Sequence, residues 1–290
     1  MTVEAYAKVN FTLEVFGKRA DGYHAIRSVV MPISLSDTLD IEMTDDGSIT
    51  SDTGYDDDLC VKAARILKSS ASGLPSSVGA AIRVTKRIPA GGGLGGGSAD
   101  AAAVLRALNG LWKVGFARKE LAEVGAQVGS DVPALVLGGP VIMEGRGEKV
   151  VDLRLKTGGL NLVLVNPGVH SSTKEVYSAC EVRPLAGEDL TARMVAALKA
   201  GNLRLIAAAL MNDLQPPAVR RHPEIADALV SLRTAGVIGA MMSGSGSSVF
   251  GLVENESEAR RISSEMNARG YKAWPAVTFG VAGQSKCNYR

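Results

Sequence analysis

One run of residues constrains this chain more than any other: Pro89, Ala90, Gly91, Gly92, Gly93, Leu94, Gly95, Gly96, Gly97, Ser98 and Ala99. Its six glycines carry no Cβ, so the backbone can take left-handed conformations and approach a ligand closely. Residues 80–88 before it alternate apolar and polar, as a strand does. Residues 99–112 after it are rich in Ala and Leu and predict a helix. Pro89 sets where the loop begins, and Ser98 stands where a helix N-cap is expected. A glycine-rich loop between strand and helix presents free N–H groups at the positive end of the helix dipole, and that combination binds phosphate. A flexible linker is the plainer alternative, but linkers are not normally wedged between a regular strand and a strong helix.

Other glycine motifs fit less well. No Lys follows the loop, so it is not a Walker A sequence. Gly91-x-Gly93-x-x-Gly96 formally matches a dinucleotide fingerprint, but the match is weak within six glycines. The acid that fingerprint needs would be Glu120, which lies inside a predicted helix. Neither Gly96-Gly-Ser98 nor Ser243-Gly-Ser-Gly-Ser-Ser248 has the spacing of a nucleophile elbow. The protein-kinase set is missing its H-R-D and D-F-G members.

Composition narrows the partners. Lys plus Arg is 32 and Asp plus Glu 30, a net charge of +2, which offers no electrostatic reason for nucleic acid or an anionic membrane. The widely spaced Cys60, Cys180 and Cys287 read as ordinary buried thiols, with no disulfide framework and no zinc site. His170 and His222 have no motif around them and read as surface or core residues. No signal peptide or membrane span is expected, and the expected location is cytoplasmic. The length of 290 residues predicts two domains, divided as 1–155 and 156–290. Strands are expected over 3–15 and 26–43, with a turn at 17–22 and a surface loop at 45–58. Helices are expected over 59–68, 119–128, 188–210, 223–234 and 257–269. Strands are expected again at 160–165, 237–242, 249–253 and 272–278.

Several side chains can carry chemistry. Asp131, between Gly129-Ser130 and Val132-Pro133, can accept the proton of an acceptor hydroxyl or simply cap a helix. Lys8, on the first strand, is either a solvated edge charge or a catalytic cation. Asn10 lies two residues on and so on the same face. Tyr23 and His24, after the Asp21-Gly22 turn in a chain with 4% aromatics, form either a stacking surface or a hairpin tip packed on the core.

The loop resembles the phosphate loop of the GHMP kinases (galactose, homoserine, mevalonate and phosphomevalonate kinases). Ala5-Tyr-Ala-Lys-Val-Asn10 resembles that family's first motif, and Ala240-Met-Met-Ser-Gly-Ser-Gly-Ser-Ser-Val-Phe250 its third. Arg19-Ala-Asp-Gly-Tyr-His24, Gly129-Ser-Asp-Val-Pro133 and Asn212-Asp-Leu214 narrow the likeness to members whose acceptor carries a cytidine diphosphate group. The likeness runs from about residue 5 to about residue 280. It implies an α+β fold of two domains, the first like domain 2 of ribosomal protein S5 and the second ferredoxin-like, with the site in the cleft between them. It implies phosphoryl transfer from ATP to the 2-hydroxyl of a methylerythritol unit, on the non-mevalonate route to isoprenoids. Lys8 and Asp131 become the catalytic pair, and the run from Pro89 to Ala99 binds ATP. Asn10, Tyr23, His24, Thr173 and Tyr177 bind the acceptor, with cytosine stacked on Tyr23, closed by Tyr177 and read by His24. Tyr177 stands where relatives often have Phe. Magnesium is expected with ATP; its ligands are not identified, and Ser98 is a candidate through its hydroxyl. Asp58-Leu59 stands where relatives often have Asn-Leu, which leaves the adenosine contact open. The implied protein is a monomer or homodimer acting on a small molecule. Another GHMP kinase is the rival reading, disfavoured because mevalonate and homoserine offer no base to stack. A non-catalytic sensor on the same fold is disfavoured by the presence of both Lys8 and Asp131.

Overall fold

The computed structural model describes residues 1–155, 159–184 and 188–280. The chain begins with β1 (Thr2–Asn10) and β2 (Thr12–Lys18), then runs for 21 residues as β3 (His24–Thr44). β4 (Ile49–Ser51), α1 (Leu59–Ser70) and β5 (Gly79–Thr85) follow. Next come α2 (Gly96–Leu111), α3 (Arg118–Gly125), α4 (Val132–Leu137) and the hairpin β6 (Val141–Gly145) and β7 (Lys149–Asp152).

β3 organises the first sheet because it changes neighbours along its length. Its first residues pair with β2 and β6, and its middle with β1. Its last residues pair with β5. Alternation in β1 turns Ala5, Ala7 and Val9 into the core and leaves Lys8 and Asn10 on the opposite face. α2 covers the core side with small residues. Ala99, Ala101, Ala102, Ala103 and Ala107 are all buried, which lets the helix lie close to β1 and α1.

The second half contributes β8 (Asn161–Asn166), α5 (Thr173–Ser178), α6 (Leu190–Ala200), α7 (Leu203–Ala208), β9 (Met211–Asn212), α8 (Gln215–Arg221) and α9 (Pro223–Thr234). It closes with β10 (Gly239–Met242), β11 (Val249–Val253), α10 (Glu256–Ala268) and β12 (Lys272–Val277). The sheet order β10-β11-β8-β12, with antiparallel neighbours throughout, is the ferredoxin-like arrangement the family likeness implies. The long connection from β8 to β10 also adds β9 in parallel to β2 of the first sheet. Phe11 and Phe250, stacked with centroids 5.6 Å apart, join the two cores.

Differences from the sequence expectations have local causes. The strand expected over 3–15 breaks at Phe11, whose N–H turns to the Val29 carbonyl. The helix expected over 188–210 splits in two. Gly201 ends α6 in the left-handed conformation, and the Asn202 side chain caps α7. α4 and α5, at 6 residues each, are too short to show a period. β4 lies within the stretch expected to be a loop. The domain boundary expected between 155 and 156 falls beside residues 156–158, which lie outside the described residues, as does Cys287. Cys60 is buried as expected, and Cys180 is half-buried. Among the described residues no helix is long and apolar enough to cross a membrane.

Candidate active site

Four segments converge at the N-terminus of α2. The N-cap of this helix is Gly95, in the left-handed conformation at φ 71°, and not Ser98, which lies in the first turn. No side chain caps the helix, and first-turn N–H groups have no intrahelical acceptor. They therefore point outward at the positive end of a 16-residue helix dipole. Leu94 anchors the loop: its side chain is buried and its carbonyl accepts the Lys8 N–H at 3.0 Å. The register shift of β1 between Tyr6 and Lys8 releases that N–H from the sheet.

The β10–β11 turn, residues 243–248, supports the other side of the loop. Ser248 N–H donates to the Gly92 carbonyl at 3.1 Å and Ser243 Oγ to the Gly93 carbonyl at 3.0 Å. Asn212, buried on β9, holds the turn by donating to the Met242 and Gly244 carbonyls at 2.9 and 2.8 Å. His170 lies against the loop as well: a Cβ on Gly91 would sit 2.6 Å from its Nδ1.

Lys8 and Asp131, 123 positions apart, meet here with Nζ 3.3 Å from Oδ2. Lys8 is 4% exposed and also donates to Asn10 Oδ1 at 2.8 Å, while Asn10 donates to Ser28 Oγ at 2.8 Å. Asp131 occupies the N-cap position of α4, yet its side chain makes no capping bond and turns to Lys8 instead. With 31% of its side chain exposed, it remains accessible from solvent.

The aromatic residues lie to one side of this pair. His24 stacks on Tyr177, with centroids 5.6 Å apart and planes at 28°. Burial, with Lys18 nearby, holds His24 below the ordinary imidazole range, so the ring is neutral at pH 7. Burial, and then the nearby Asp131 carboxylate, push the Tyr177 phenol up. Tyr23 is 57% exposed, with the Arg146 guanidinium 5.7 Å above its ring. Thr173 is hydrogen-bonded through Oγ1 to Ser245 Oγ at 2.8 Å, which seats α5 on the β10–β11 turn. Asp58 caps α1 by accepting from the Cys60 and Val61 N–H groups.

Comparison with known protein families matches the GHMP kinases N terminal domain over residues 58–139 and the GHMP kinases C terminal domain over 194–272. The chain is 42% identical over 270 residues to the 4-diphosphocytidyl-2-C-methyl-D-erythritol kinase of Pelotomaculum thermopropionicum, covering 91% of this chain and 93% of that one. The chain belongs to the 4-diphosphocytidyl-2-C-methyl-D-erythritol kinase family of the GHMP kinases. The kinase of the same name from Symbiobacterium thermophilum is 38% identical, with 96% and 99% of the two chains covered. A crystal structure of 4-(cytidine 5'-diphospho)-2C-methyl-D-erythritol kinase superposes with a TM-score of 0.82 at 36% identity, covering 97% of this chain and all of that one. Homoserine kinase from Cytophaga hutchinsonii, at 19% identity and a TM-score of 0.72, shares the fold. GHMP kinases use ATP as phosphoryl donor, and the uncapped α2 terminus fits that donor's phosphates.

Three features of this GHMP kinase site were not read from sequence. His170 carries no motif and meets the loop only through the fold. Arg146 is marked only by its two flanking glycines. The third is a buried cluster at the root of the glycine loop. Asp37 accepts the Ile88 N–H at 2.8 Å and the Lys86 ammonium at 2.5 Å, just before Pro89. Lys86 is shared with Asp100, 2.6 Å away, and the other Asp100 oxygen has no partner. Two carboxylates thus compete for one ammonium, and Asp37 has the additional backbone donors. Burial pushes Asp100 up to about 7. The folded state then binds this proton more tightly than the unfolded chain does. This contribution to stability is therefore full below the unfolded carboxyl pKa and is lost as pH rises through about 7. Asp100→Asn is expected to raise Tm at pH 8 by several °C and to flatten the Tm profile between pH 5 and 8. An equal shift at every pH in thermal melts would assign the proton elsewhere.

Proposed function

We propose that this chain transfers the γ-phosphoryl group of ATP to the 2-hydroxyl of 4-diphosphocytidyl-2-C-methyl-D-erythritol, with Asp131 and Lys8 as the catalytic pair. The observation that carries this assignment is their 3.3 Å approach beside an uncapped helix N-terminus. The loop from Pro89 to Ala99 binds the ATP phosphates, placing the γ-phosphorus toward Lys8. Asp131 accepts the proton of the attacking hydroxyl. The new O–P bond forms on that oxygen, the bond from phosphorus to the β–γ bridging oxygen breaks, and ADP leaves. Lys8, held by Asn10, neutralises charge on the moving phosphoryl group. Magnesium supplies further charge neutralisation when bound with ATP. Among the described residues no group of three or more His, Cys, Asp or Glu could hold a metal, so this reading has the phosphates hold the ion, with the Ser98 hydroxyl as the protein group beside them. Residues 1–155 and 156–290 are taken as the two lobes of the cleft.

The acceptor's cytosine rests on the ring surface of Tyr23, His24 and Tyr177, and neutral His24 offers both a donor and an acceptor to it. Asn10 and Thr173 face the polyol and nucleotide parts. Tyr23→Ala and His24→Ala are each expected to weaken binding of CDP by roughly 5- to 150-fold, the range of one lost stacking contact, while ATP-analogue affinity stays within about threefold. Tyr177→Phe keeps the ring and should be mild. Calorimetric titration of both ligands into each variant checks this. Equal weakening of both would point to a folding defect, and unchanged CDP affinity would remove these residues from the site. In an ADP-release assay, mevalonate and homoserine should support little turnover; turnover with them equal to that with the cytidine acceptor would sink this reading.

A further inference from the structure

Behind the Lys8–Asp131 pair lies a short chain of buried hydrogen bonds. Lys8 Nζ donates to Asn10 Oδ1 at 2.8 Å, and Asn10 Nδ2 donates to Ser28 Oγ at 2.8 Å. Ser28 Oγ in turn donates to the Thr12 carbonyl. Asn10, Thr12 and Ser28 are all buried, so water does not compete for these groups. The register of β1 on β3 sets Asn10 opposite Val30. Ser28, two residues earlier on β3, therefore shares the face of Asn10 and meets it on the diagonal.

The direction of each bond follows from what each group can do. A carbonyl only accepts, so the one proton of the Ser28 hydroxyl goes to Thr12. What remains on Ser28 Oγ is lone pairs, which only accept. The Asn10 amide must then turn its NH2 group to Ser28, and this leaves Oδ1 for Lys8. A flipped amide would set its NH2 group against the Lys8 ammonium and its oxygen against a hydroxyl with no proton to give. Thr12 is itself held. Its Oγ1 accepts the Val29 N–H at 2.9 Å and lies 3.2 Å from Thr191 Oγ1. Thr191 gives its proton to the buried Glu14 carboxylate at 2.7 Å, so the Thr12 hydroxyl donates to Thr191. The acceptor of the Ser28 proton thus stays in place, and the polarity of the Ser28–Asn10 bond with it.

We infer that Ser28 is a positioning residue for phosphoryl transfer: it fixes the orientation of the Asn10 amide, and through that amide it holds Lys8 Nζ beside Asp131. This rests on the reading of Lys8 and Asp131 as the catalytic pair. Both polar partners of Ser28 lie in the protein interior, so it acts on the reaction only through Asn10 and Lys8.

The test is a double-mutant cycle of Ser28→Ala and Asn10→Ala, read as the single-turnover rate with ATP and 4-diphosphocytidyl-2-C-methyl-D-erythritol. Each single variant is expected to slow transfer by about 10- to 100-fold, the range of a lost hydrogen bond to a charged group. Affinity of Ser28→Ala for an ATP analogue and for CDP should stay within about threefold of wild type. The double variant should be no slower than Asn10→Ala alone, within about threefold, because Ser28 has nothing to orient once the amide is gone. Ser28→Cys keeps the shape of the side chain with a much weaker acceptor, and takes the place of Ser28→Ala in the cycle if that variant does not fold. Losses that multiply in the double variant would show that Ser28 does not act through Asn10. A wild-type rate in either single variant would show that the amide does not hold Lys8 for the reaction. Each of these results overturns the inference while Asp131→Asn remains impaired. A wild-type rate in Asp131→Asn would overturn the catalytic-pair reading, and the inference with it.

Discussion

Asp131→Asn is expected to lower kcat by about 10²–10⁴ while leaving ATP-analogue affinity within about threefold. The amide keeps the size of the carboxylate but cannot take a proton from the acceptor hydroxyl. Folding should be little affected, because the Asp131 side chain makes no capping bond to α4. Lys8 keeps its 2.8 Å bond to Asn10 and so stays in place. Single-turnover measurement separates this loss from any change in product release. A variant with near wild-type kcat would reduce Asp131 to a spacer beside Lys8.

Gly95→Val is expected to reduce both kcat and ATP affinity by at least about tenfold. The left-handed conformation at φ 71° costs an L-residue roughly 1–2 kcal/mol, and a branched side chain is worse placed than most. A Cβ there would lie 3.1 Å from Lys8 Cε and 3.5 Å from Asp131 Oδ2, so the new side chain presses on the catalytic pair as well as on the phosphate cradle. Gly97→Ala is expected to be milder, since its Cβ would make only an ordinary 3.4 Å contact with Leu59. Gly96 differs from both: its Cβ would meet Ile88 at 3.1 Å, so a substitution there acts through packing beneath the loop. Comparing KM for ATP and kcat across Gly95→Val and Gly97→Ala checks the assignment. Wild-type KM and kcat in Gly95→Val would mean that Gly95 is not at the phosphates.

The glycine loop was legible in sequence because its pattern is local: glycines, a strand before and a helix after. The strands of the second half were legible because they are short apolar runs set off by glycine and serine turns, while their ferredoxin-like arrangement was implied only by the family likeness. What sequence could not place were residues joined only by the fold. Lys8 and Asp131 each had an ordinary local reading, as an edge charge and a cap, and only the family likeness paired them. The actual N-cap moved from Ser98 to Gly95 because the left-handed glycine starts the helix earlier, which puts Ser98 in the first turn. His24 and Tyr177 were both named, but their mutual stacking is set by α5 docking on the β10–β11 turn through Thr173. The shared ammonium of Lys86 joins residues from three separate segments, and no local pattern marks such a cluster.

The most direct measurement is phosphorus-31 NMR of the purified protein incubated with ATP, Mg²⁺ and 4-diphosphocytidyl-2-C-methyl-D-erythritol. The account predicts a new phosphomonoester resonance that grows in step with ADP, coupled to the carbon skeleton at the 2-position, with the diphosphate resonances of the acceptor retained. Release of inorganic phosphate without a phosphomonoester, or phosphorylation at another hydroxyl, would contradict it.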